Sequence, residues 1–221
     1  MITEHHLGVR RTARYFVDGS PSHDVRDVWI VCHGYAQLAA DFIKDFQVLR
    51  SLERLVVAPE GLSRFYFETG SHGPDSKVGA TWMTREDRLA EIEDYVAYLD
   101  AVLDAVFADR DRTTAKLTVL GFSQGTATVS RWATRGRVRP DRLVLWGGLL
   151  PPDLDLGAAR ERLARLQLVL VAGRRDKFVD EAKLTAQLSE LDRHGIAVQT
   201  MHYPGGHRLK PEVLAELARR A

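Results

Sequence analysis

The sequence is poor in cysteine and in net charge, and each shortage excludes a class of protein. Its 221 residues contain one cysteine, Cys32, so no disulfide can form within the chain. Cys32 lies in the apolar run DVWIVCHG, which predicts a buried and unreactive thiol. Lysine and arginine total 31 against 30 aspartate and glutamate, a formal net charge of +1. Such a small charge creates no global field for nucleic acid or an anionic membrane, so we expect neither as a partner.

Long apolar runs and metal-binding motifs are also missing. No stretch reaches the roughly 20 apolar residues of a transmembrane helix. The N-terminal MITEHHLGVRRTARYF lacks the basic and then apolar order of a signal peptide. We therefore expect a soluble, cytoplasmic protein without an integral membrane segment. The sequence has neither an HExxH motif nor a cysteine cluster, so no metal and no other cofactor is expected.

From about residue 26 onward, strand-like and helix-like segments alternate regularly. Six β-branched and leucine-rich runs end near glycine or proline, at 27–34, 52–61, 116–123, 142–148, 166–173 and 197–206. Continuous apolar runs of this kind are typical of strands buried on both faces of a parallel sheet. Helical periodicity is found between or after these runs, at about 36–50, 85–108, 124–136, 157–165, 180–194 and 210–220.

This order predicts an α/β fold with a mostly parallel central sheet flanked by helices. An antiparallel edge strand is expected at 9–17, and Thr84 with Asp87 resembles a capping box that would open the helix at 85. The chain length suits one domain over 1–221. Only about 18 residues separate the strand runs at 142–148 and 166–173, too few for a separate cap domain.

One long segment, 62–83, shows no clear periodicity. Segments of this length in compact domains are often functional. Its Phe65, Tyr66, Phe67, Trp82 and Met83 could line a substrate pocket. An aromatic-rich loop that packs on the core is an equally good interpretation, and the sequence does not separate the two.

The pentapeptide GFSQG, residues 121–125, matches the Gly-x-Ser-x-Gly pattern of a nucleophile elbow. The pattern alone is weak evidence, because glycine and serine are both common residues. Its surroundings are those that an elbow requires: the strand run KLTVL precedes it and the helical run TATVSRWATR follows. Ser123 is therefore predicted to be a nucleophile, with a serine at an ordinary helix N-terminus as the alternative.

A nucleophilic serine needs a base, and the base needs an acid that orients it. Both are expected on loops after later strands, the acid first and the base second. Asp176 follows the end of a strand run, and we favour it over Asp180, which better fits a helix N-cap. His207 follows the turn PGG, and we favour it over His202, which lies inside the last strand run.

An oxyanion site needs two backbone N–H donors, one after the serine and one after an early strand. His33 and Gly34 end the first buried run, and Gly34 lets the backbone approach a substrate closely. The predicted donors are the backbone N–H groups of Tyr35 and Gln124. We interpret His33 itself as a hydrogen-bonded scaffold residue.

Together these motifs resemble those of α/β-hydrolases of the phospholipase/carboxylesterase group, which includes acyl-protein thioesterases. The resemblance covers nearly the whole chain and rests on HGY (33–35), GFSQG (121–125), GRRDKFV (173–179) and GGH (205–207). It implies Ser123 as nucleophile, His207 as general base and acid, and Asp176 as the residue that orients His207. Leu149 belongs to WGGLLP, which is similar to the family segment that helps to wall the acyl site.

We therefore predict a serine carboxylesterase that hydrolyses small to medium acyl esters through an acyl-enzyme. The alternatives are an acyl thioesterase or lysophospholipase with the same three residues and a non-catalytic binding protein on the same scaffold. A small-molecule ester is the expected partner, and the chain is expected to be a monomer or homodimer. The basic stretch RWATRGRVRPDR allows phosphate or nucleic-acid contact, but a solvated helix end is the favoured interpretation.

Overall fold

The computed structural model describes residues 1–19 and 25–220. His23, for which the sequence indicates no partner, lies outside these ranges. The strands are β1 Tyr15–Gly19, β2 Asp27–Cys32, β3 Arg54–Pro59, β4 Ser63–Tyr66, β5 Val78–Thr81, β6 Lys116–Phe122, β7 Arg142–Trp146, β8 Gln167–Gly173 and β9 Val198–Tyr203. The helices are α1 Ala39–Phe42, α2 Arg88–Val106, α3 Gln124–Arg135, α4 Leu156–Ala164, α5 Glu181–Arg193 and α6 Pro211–Arg219. Two 3₁₀ helices span Ile43–Leu49 and Arg112–Thr114.

Seven strands form one sheet in the order β1-β3-β2-β6-β7-β8-β9. Only the edge strand β1 runs antiparallel, against β3, while the other neighbours pair in parallel. The predicted fold class is therefore confirmed, and so is the antiparallel edge strand, although it begins at Tyr15. Because parallel strands end at the same edge of a sheet, the loops after β2, β6, β8 and β9 meet there. Any site built from these loops belongs at that edge.

Both faces of the sheet are covered, as the apolar runs predicted. Side chains alternate along β2: Val28 and Ile30 belong to a core formed with α2 to α5. Trp29 and Val31 belong to a second core, formed with α1, the following 3₁₀ helix and α6. A helical layer on each face explains why the strand sequences are apolar without interruption.

Two helix predictions are wrong in detail. The helix expected at 36–50 is a single α-turn followed by the 3₁₀ helix Ile43–Leu49. Its buried Ile43, Phe46 and Leu49 recur every three residues, which is the period of a 3₁₀ helix. The capping box at Thr84 does not form, because α2 begins only at Arg88 and Asp87 has a left-handed backbone without a side-chain cap.

The segment 62–83 contains an antiparallel hairpin. Strands β4 and β5 pair with Ser63 opposite Thr81 and Phe65 opposite Gly79. The sequence shows no sign of this pairing, because the strands have four residues each and little alternation.

The described helices include none that combines the length and apolar character needed to span a bilayer.

The basic stretch 131–142 is largely paired within the fold. Arg131 and Arg142 are only 4% and 1% exposed, so the interpretation as a solvated helix end is wrong for these two residues. The Arg142 guanidinium donates to the carbonyl oxygens of Leu217 and Arg220 and thereby caps the C-terminal end of α6. A buried arginine with these partners has a structural role.

Candidate active site

Ser123 lies at a strained turn between β6 and α3. Its φ is 54° and its ψ is −117°, a conformation that costs a non-glycine residue about 1–3 kcal/mol. Two glycines make the turn possible. A Cβ atom at Gly121 would lie 2.2 Å from the Gly125 carbonyl oxygen, and one at Gly125 would lie 2.3 Å from that of Cys32. The backbone N–H of Ser123 donates to the Trp146 carbonyl at 2.9 Å and ties the turn to β7.

The structure brings Ser123, His207 and Asp176 into one hydrogen-bonded chain. His207 Nε2 lies 2.8 Å from Ser123 Oγ, and His207 Nδ1 lies 2.9 Å from Asp176 Oδ2. The Asp176 side chain is fully buried, while 19% of the His207 side chain is exposed. When Nδ1–H donates to the carboxylate, Nε2 of the neutral ring is free to accept the serine proton.

Backbone amides hold the Asp176 carboxylate in place. Its Oδ1 accepts hydrogen bonds from the N–H groups of Phe178, at 2.9 Å, and Val179, at 3.4 Å. The Asp176 N–H donates to the Gly173 carbonyl at 2.9 Å, which closes a turn at the end of β8. Oδ2 is left to face His207. The orientation of the histidine ring therefore depends on the main chain of this loop.

Asp180 and His202, the alternatives to Asp176 and His207, have other positions in the fold. Asp180 accepts a hydrogen bond from the Lys183 N–H and caps α5, which confirms its interpretation as an N-cap. His202 lies inside β9, opposite Ala172 in the neighbouring strand.

Two aromatic rings flank His207, and neither of them was predicted from the sequence. Phe122 lies 4.9 Å from the imidazole and Phe178 4.5 Å, measured between ring centroids. Phe178 is 65% exposed, so it forms part of the rim of the site. The only available signal was its position two residues after Asp176 in GRRDKFV.

The predicted oxyanion donors are both backbone N–H groups without an acceptor in the described part of the chain. Gln124 is the first residue of α3, so its N–H belongs to the unpaired, electropositive end of the helix. Its side chain donates to the Met83 carbonyl at 2.9 Å and accepts from the Trp82 N–H at 3.2 Å. The loop 33–38 between β2 and α1 is called the Tyr35 loop here. A Cβ atom at Gly34 would lie 3.1 Å from Ser123 Cβ, so this loop passes close to the serine.

His33 is a scaffold residue, as predicted. Its Nδ1 donates to the Gly34 carbonyl at 2.8 Å, and its Nε2 accepts from the Gly61 N–H at 2.9 Å. Burial lowers the pKa of the imidazole, which favours the neutral form that this pairing requires. His33 thus fixes the start of the Tyr35 loop.

Glu60 is a second support of this loop and was not predicted. Its buried carboxylate accepts hydrogen bonds from Arg14 Nε at 2.7 Å, Arg64 Nε at 2.6 Å and the Ala39 N–H at 3.2 Å. Burial alone would raise the pKa of Glu60, but the hydrogen bonds from Arg14 and Arg64 lower it overall. Glu60 therefore anchors α1, which follows the Tyr35 loop.

The predicted pocket residues separate into three groups. Tyr35 stacks on Phe65, with 5.2 Å between ring centroids, and Tyr66 stacks on His72 at 3.8 Å. The assignment of Trp82 to a pocket wall is wrong, because it is 1% exposed and its indole N–H donates to the His33 carbonyl.

Met83 and Leu149 share a groove of about 340 Å³ with Gln124. Met83 and Leu149 therefore line one groove together with the first residue of α3.

One group of side chains in the described ranges has the composition of a metal site. Glu4, His6 and Asp87 place their ligand atoms within 4.8 Å of one another, and all three are exposed. Exposed clusters of this kind are common without a metal, and this one includes none of the three hydrogen-bonded residues described above.

Gly147 packs directly against the hydrogen-bonded chain. It has a φ of 62°, and a Cβ atom there would lie 3.0 Å from His207 Cε1 and 3.1 Å from His207 Nδ1. We expect Gly147→Ala to displace the imidazole and to lower kcat for a p-nitrophenyl ester by about 100-fold. The kcat is measured beside a thermal unfolding curve.

Gly195→Ala is the matched control for this prediction. Gly195 has a φ of 64°, and a Cβ atom there would lie 3.6 Å from its nearest neighbour, a guanidinium nitrogen of Arg160. Both variants should lose about 1 kcal/mol of stability because alanine tolerates this backbone poorly. An equal loss of kcat in both variants would contradict the assigned contact with His207.

An elbow serine linked by hydrogen bonds through a histidine to an aspartate, at the carboxyl edge of a mostly parallel sheet, is the arrangement found in serine hydrolases of the α/β-hydrolase fold. Comparison with protein families agrees with this class. The chain belongs to the serine hydrolase (FSH1) family, whose model matches residues 32–212. The predicted resemblance to α/β-hydrolase enzymes is thus confirmed. No match was found among curated proteins.

Solved structures with a similar fold include esterases and thioesterases. Acyl-protein thioesterase 2 from Zea mays has a TM-score of 0.69 at 19% identity, over 95% of this chain and 97% of that one. A phospholipase/carboxylesterase from Dyadobacter fermentans has a TM-score of 0.66 at 19% identity, over 94% and 95%. A Bacillus cereus carboxylesterase has a TM-score of 0.64 at 14% identity, over 94% and 92%. At these identities the likeness shows the fold alone.

Proposed function

We propose that this serine hydrolase is a carboxylesterase in which Ser123, His207 and Asp176 act as a catalytic triad. The observation that carries the proposal is the continuous hydrogen-bonded chain from Ser123 Oγ through the imidazole to Asp176. A serine in an ordinary helix cap needs neither a histidine acceptor nor a positive φ. All proposed catalytic groups come from one chain.

The reaction follows from the geometry in two stages. Ser123 Oγ attacks the ester carbonyl carbon while its proton passes to His207 Nε2, 2.8 Å away. His207 then donates that proton to the departing alcohol, and the acyl group remains on Ser123. In the second stage His207 takes a proton from water, whose oxygen attacks the acyl carbon. The acid is released and Ser123 regains its proton.

Charge that develops during both stages needs compensation. The carbonyl oxygen becomes an oxyanion, which the N–H groups of Tyr35 and Gln124 stabilise as hydrogen-bond donors. The positive end of α3 adds a favourable dipole. Asp176 balances the positive charge on His207 and keeps Nδ1 protonated.

The proposal is tested by covalent labelling combined with a substrate series. A fluorophosphonate probe should add to Ser123, identified by peptide mass spectrometry. Hydrolysis of p-nitrophenyl esters with two to twelve acyl carbons should be fastest for short and medium chains. Absence of an adduct together with absence of turnover would favour a binding protein. An acyl-CoA thioester that is cleaved faster than every oxygen ester would instead favour a thioesterase, the function named for the Zea mays structure.

A further inference from the structure

A groove runs along one face of α3 and begins at Gln124, the residue that follows Ser123. Gln124, Ala127, Thr128 and Arg131 line one wall, at the three- and four-residue spacing of a helix face. Met83 and the segment 149–152 line the rest, and the groove has a volume of about 340 Å³. Because Gln124 directly follows Ser123, an acyl chain on Ser123 would start beside this end of the groove.

Arg131 lies at the far end of this helix face. Seven residues separate it from Gln124, which corresponds to about 10 Å along the helix. Arg131 is 4% exposed, and its Nη1 donates to the Met83 sulfur and to the Tyr95 hydroxyl, both at 3.3 Å. Both acceptors are uncharged, and a thioether sulfur is a weak acceptor. A ligand carboxylate would accept this hydrogen bond better than Met83 does.

The charge cluster around Arg131, its one member that lines the groove, is unbalanced. Asp153 pairs with Arg131 at 2.6 Å, Arg88 at 3.3 Å and Arg135 at 3.5 Å. Among the described residues, these three arginines form ion pairs with no other carboxylate. The hydrogen bond from Arg131 lowers the pKa of Asp153 to about 2, so Asp153 is ionised at neutral pH. The cluster therefore carries two positive charges more than it has negative ones.

We infer that the groove selects acyl groups with an anionic end, such as a carboxylate, whose distance from the ester carbonyl is comparable with the roughly 10 Å rise from Gln124 to Arg131. This inference rests on the proposed esterase function. A neutral chain would bury apolar atoms but leave the excess positive charge uncompensated, whereas an anion beside Arg131, whose side chain is 5% exposed, would offset part of that charge. A substrate of this kind is a half-ester, a dicarboxylic acid with one carboxyl group esterified and the other free. Its hydrolysis breaks the acyl C–O bond of the esterified end. Water supplies the hydroxyl of the new carboxyl group, the alcohol takes the proton, and the distal carboxylate is unchanged.

The test compares two esters that differ only in terminal charge. Mono-p-nitrophenyl suberate carries a carboxylate roughly 9 Å from the reacting carbon, at about 1.2 Å per bond of an extended chain. Its methyl ester has the same chain without the charge. We expect kcat/KM to be about 10-fold higher for the half-ester at low salt and the preference to shrink as salt is added.

Variants of the cluster should change this preference in opposite directions. Asp153→Asn removes the competing carboxylate and should increase the ratio of the two kcat/KM values, whereas Arg88→Gln should decrease it. The Arg88 side chain is 37% exposed, so its replacement tests the charge without opening the core. Arg137→Gln is the control, since it removes one positive charge from a side chain that is 63% exposed and pairs with Asp104 instead.

The outcomes separate this inference from the proposed function. If neither ester is hydrolysed, the esterase proposal fails. If both esters are hydrolysed at equal rates, or if Arg88→Gln and Arg137→Gln change the ratio alike, the esterase proposal stands and the anion preference is wrong.

Discussion

Ser123→Ala is expected to lower kcat for ester hydrolysis by about 10⁴- to 10⁶-fold. The variant has no Oγ to form the acyl-enzyme, so the only remaining route is direct attack by water on a bound ester. That route keeps the oxyanion donors, which accounts for the small residual rate. The turnover of a p-nitrophenyl ester is measured on protein whose unfolding temperature matches that of the parent.

Ser130→Ala provides the matched control for this replacement. Ser130 lies in α3, the helix that Ser123 precedes, is fully buried, and donates its hydroxyl hydrogen to the Thr126 carbonyl at 2.6 Å. Replacement of Ser130 tests whether a serine-to-alanine change elsewhere in this region disturbs the site. The kcat of Ser130→Ala should stay within about threefold of the parent value, as for a residue that does not contact the substrate. Turnover by Ser123→Ala at the level of the control would remove Ser123 from the mechanism.

The fold could be predicted because its strands are buried on both sides. A strand such as β2, with helical layers on both faces, must be apolar at consecutive positions, and this makes it visible without any partner information. The 3₁₀ helix after α1 and the hairpin of β4 and β5 were not visible. They are short, and their geometry depends on contacts with residues far away in the sequence.

The positions of the candidate site residues could be predicted for a related reason. In a parallel sheet the loops after strands share one edge, so chain order alone restricts where an acid or a base can lie. Ser123, Asp176 and His207 all follow strands, and the structure places His207 within hydrogen-bond distance of both Ser123 and Asp176. Their catalytic roles stay predictions.

The supporting residues could not be predicted in the same way. Glu60 holds Arg14, which lies 46 residues earlier in the chain, and Arg131 holds Asp153, which lies 22 residues later. Charged residues at such separations carry no local pattern that distinguishes a buried pair from a solvated side chain. Trp82 illustrates the same limit, since its aromatic character suited a pocket wall and a core equally well.

Asp176→Asn is expected to lower kcat by about 10⁴-fold with little effect on the fold. The reason lies in the two oxygens of Asp176. Oδ1 accepts from the Phe178 and Val179 amides, so an asparagine oxygen is held on that side. The asparagine NH₂ then faces His207 Nδ1, which must accept rather than donate. This places the proton on Nε2, where it blocks removal of the Ser123 proton.

Asp180→Asn makes the same chemical change four residues further along the loop. The Asp180 side chain accepts from the Lys183 N–H as the N-cap of α5, a role that asparagine fills about as well as aspartate. Its kcat should stay within about twofold of the parent value, since the replacement keeps the cap and contacts none of the reacting groups. Equal kcat values for the two variants would show that the Asp176 carboxylate does not set the tautomer of His207. A loss confined to Asp176→Asn would be the effect expected of a residue that orients the base.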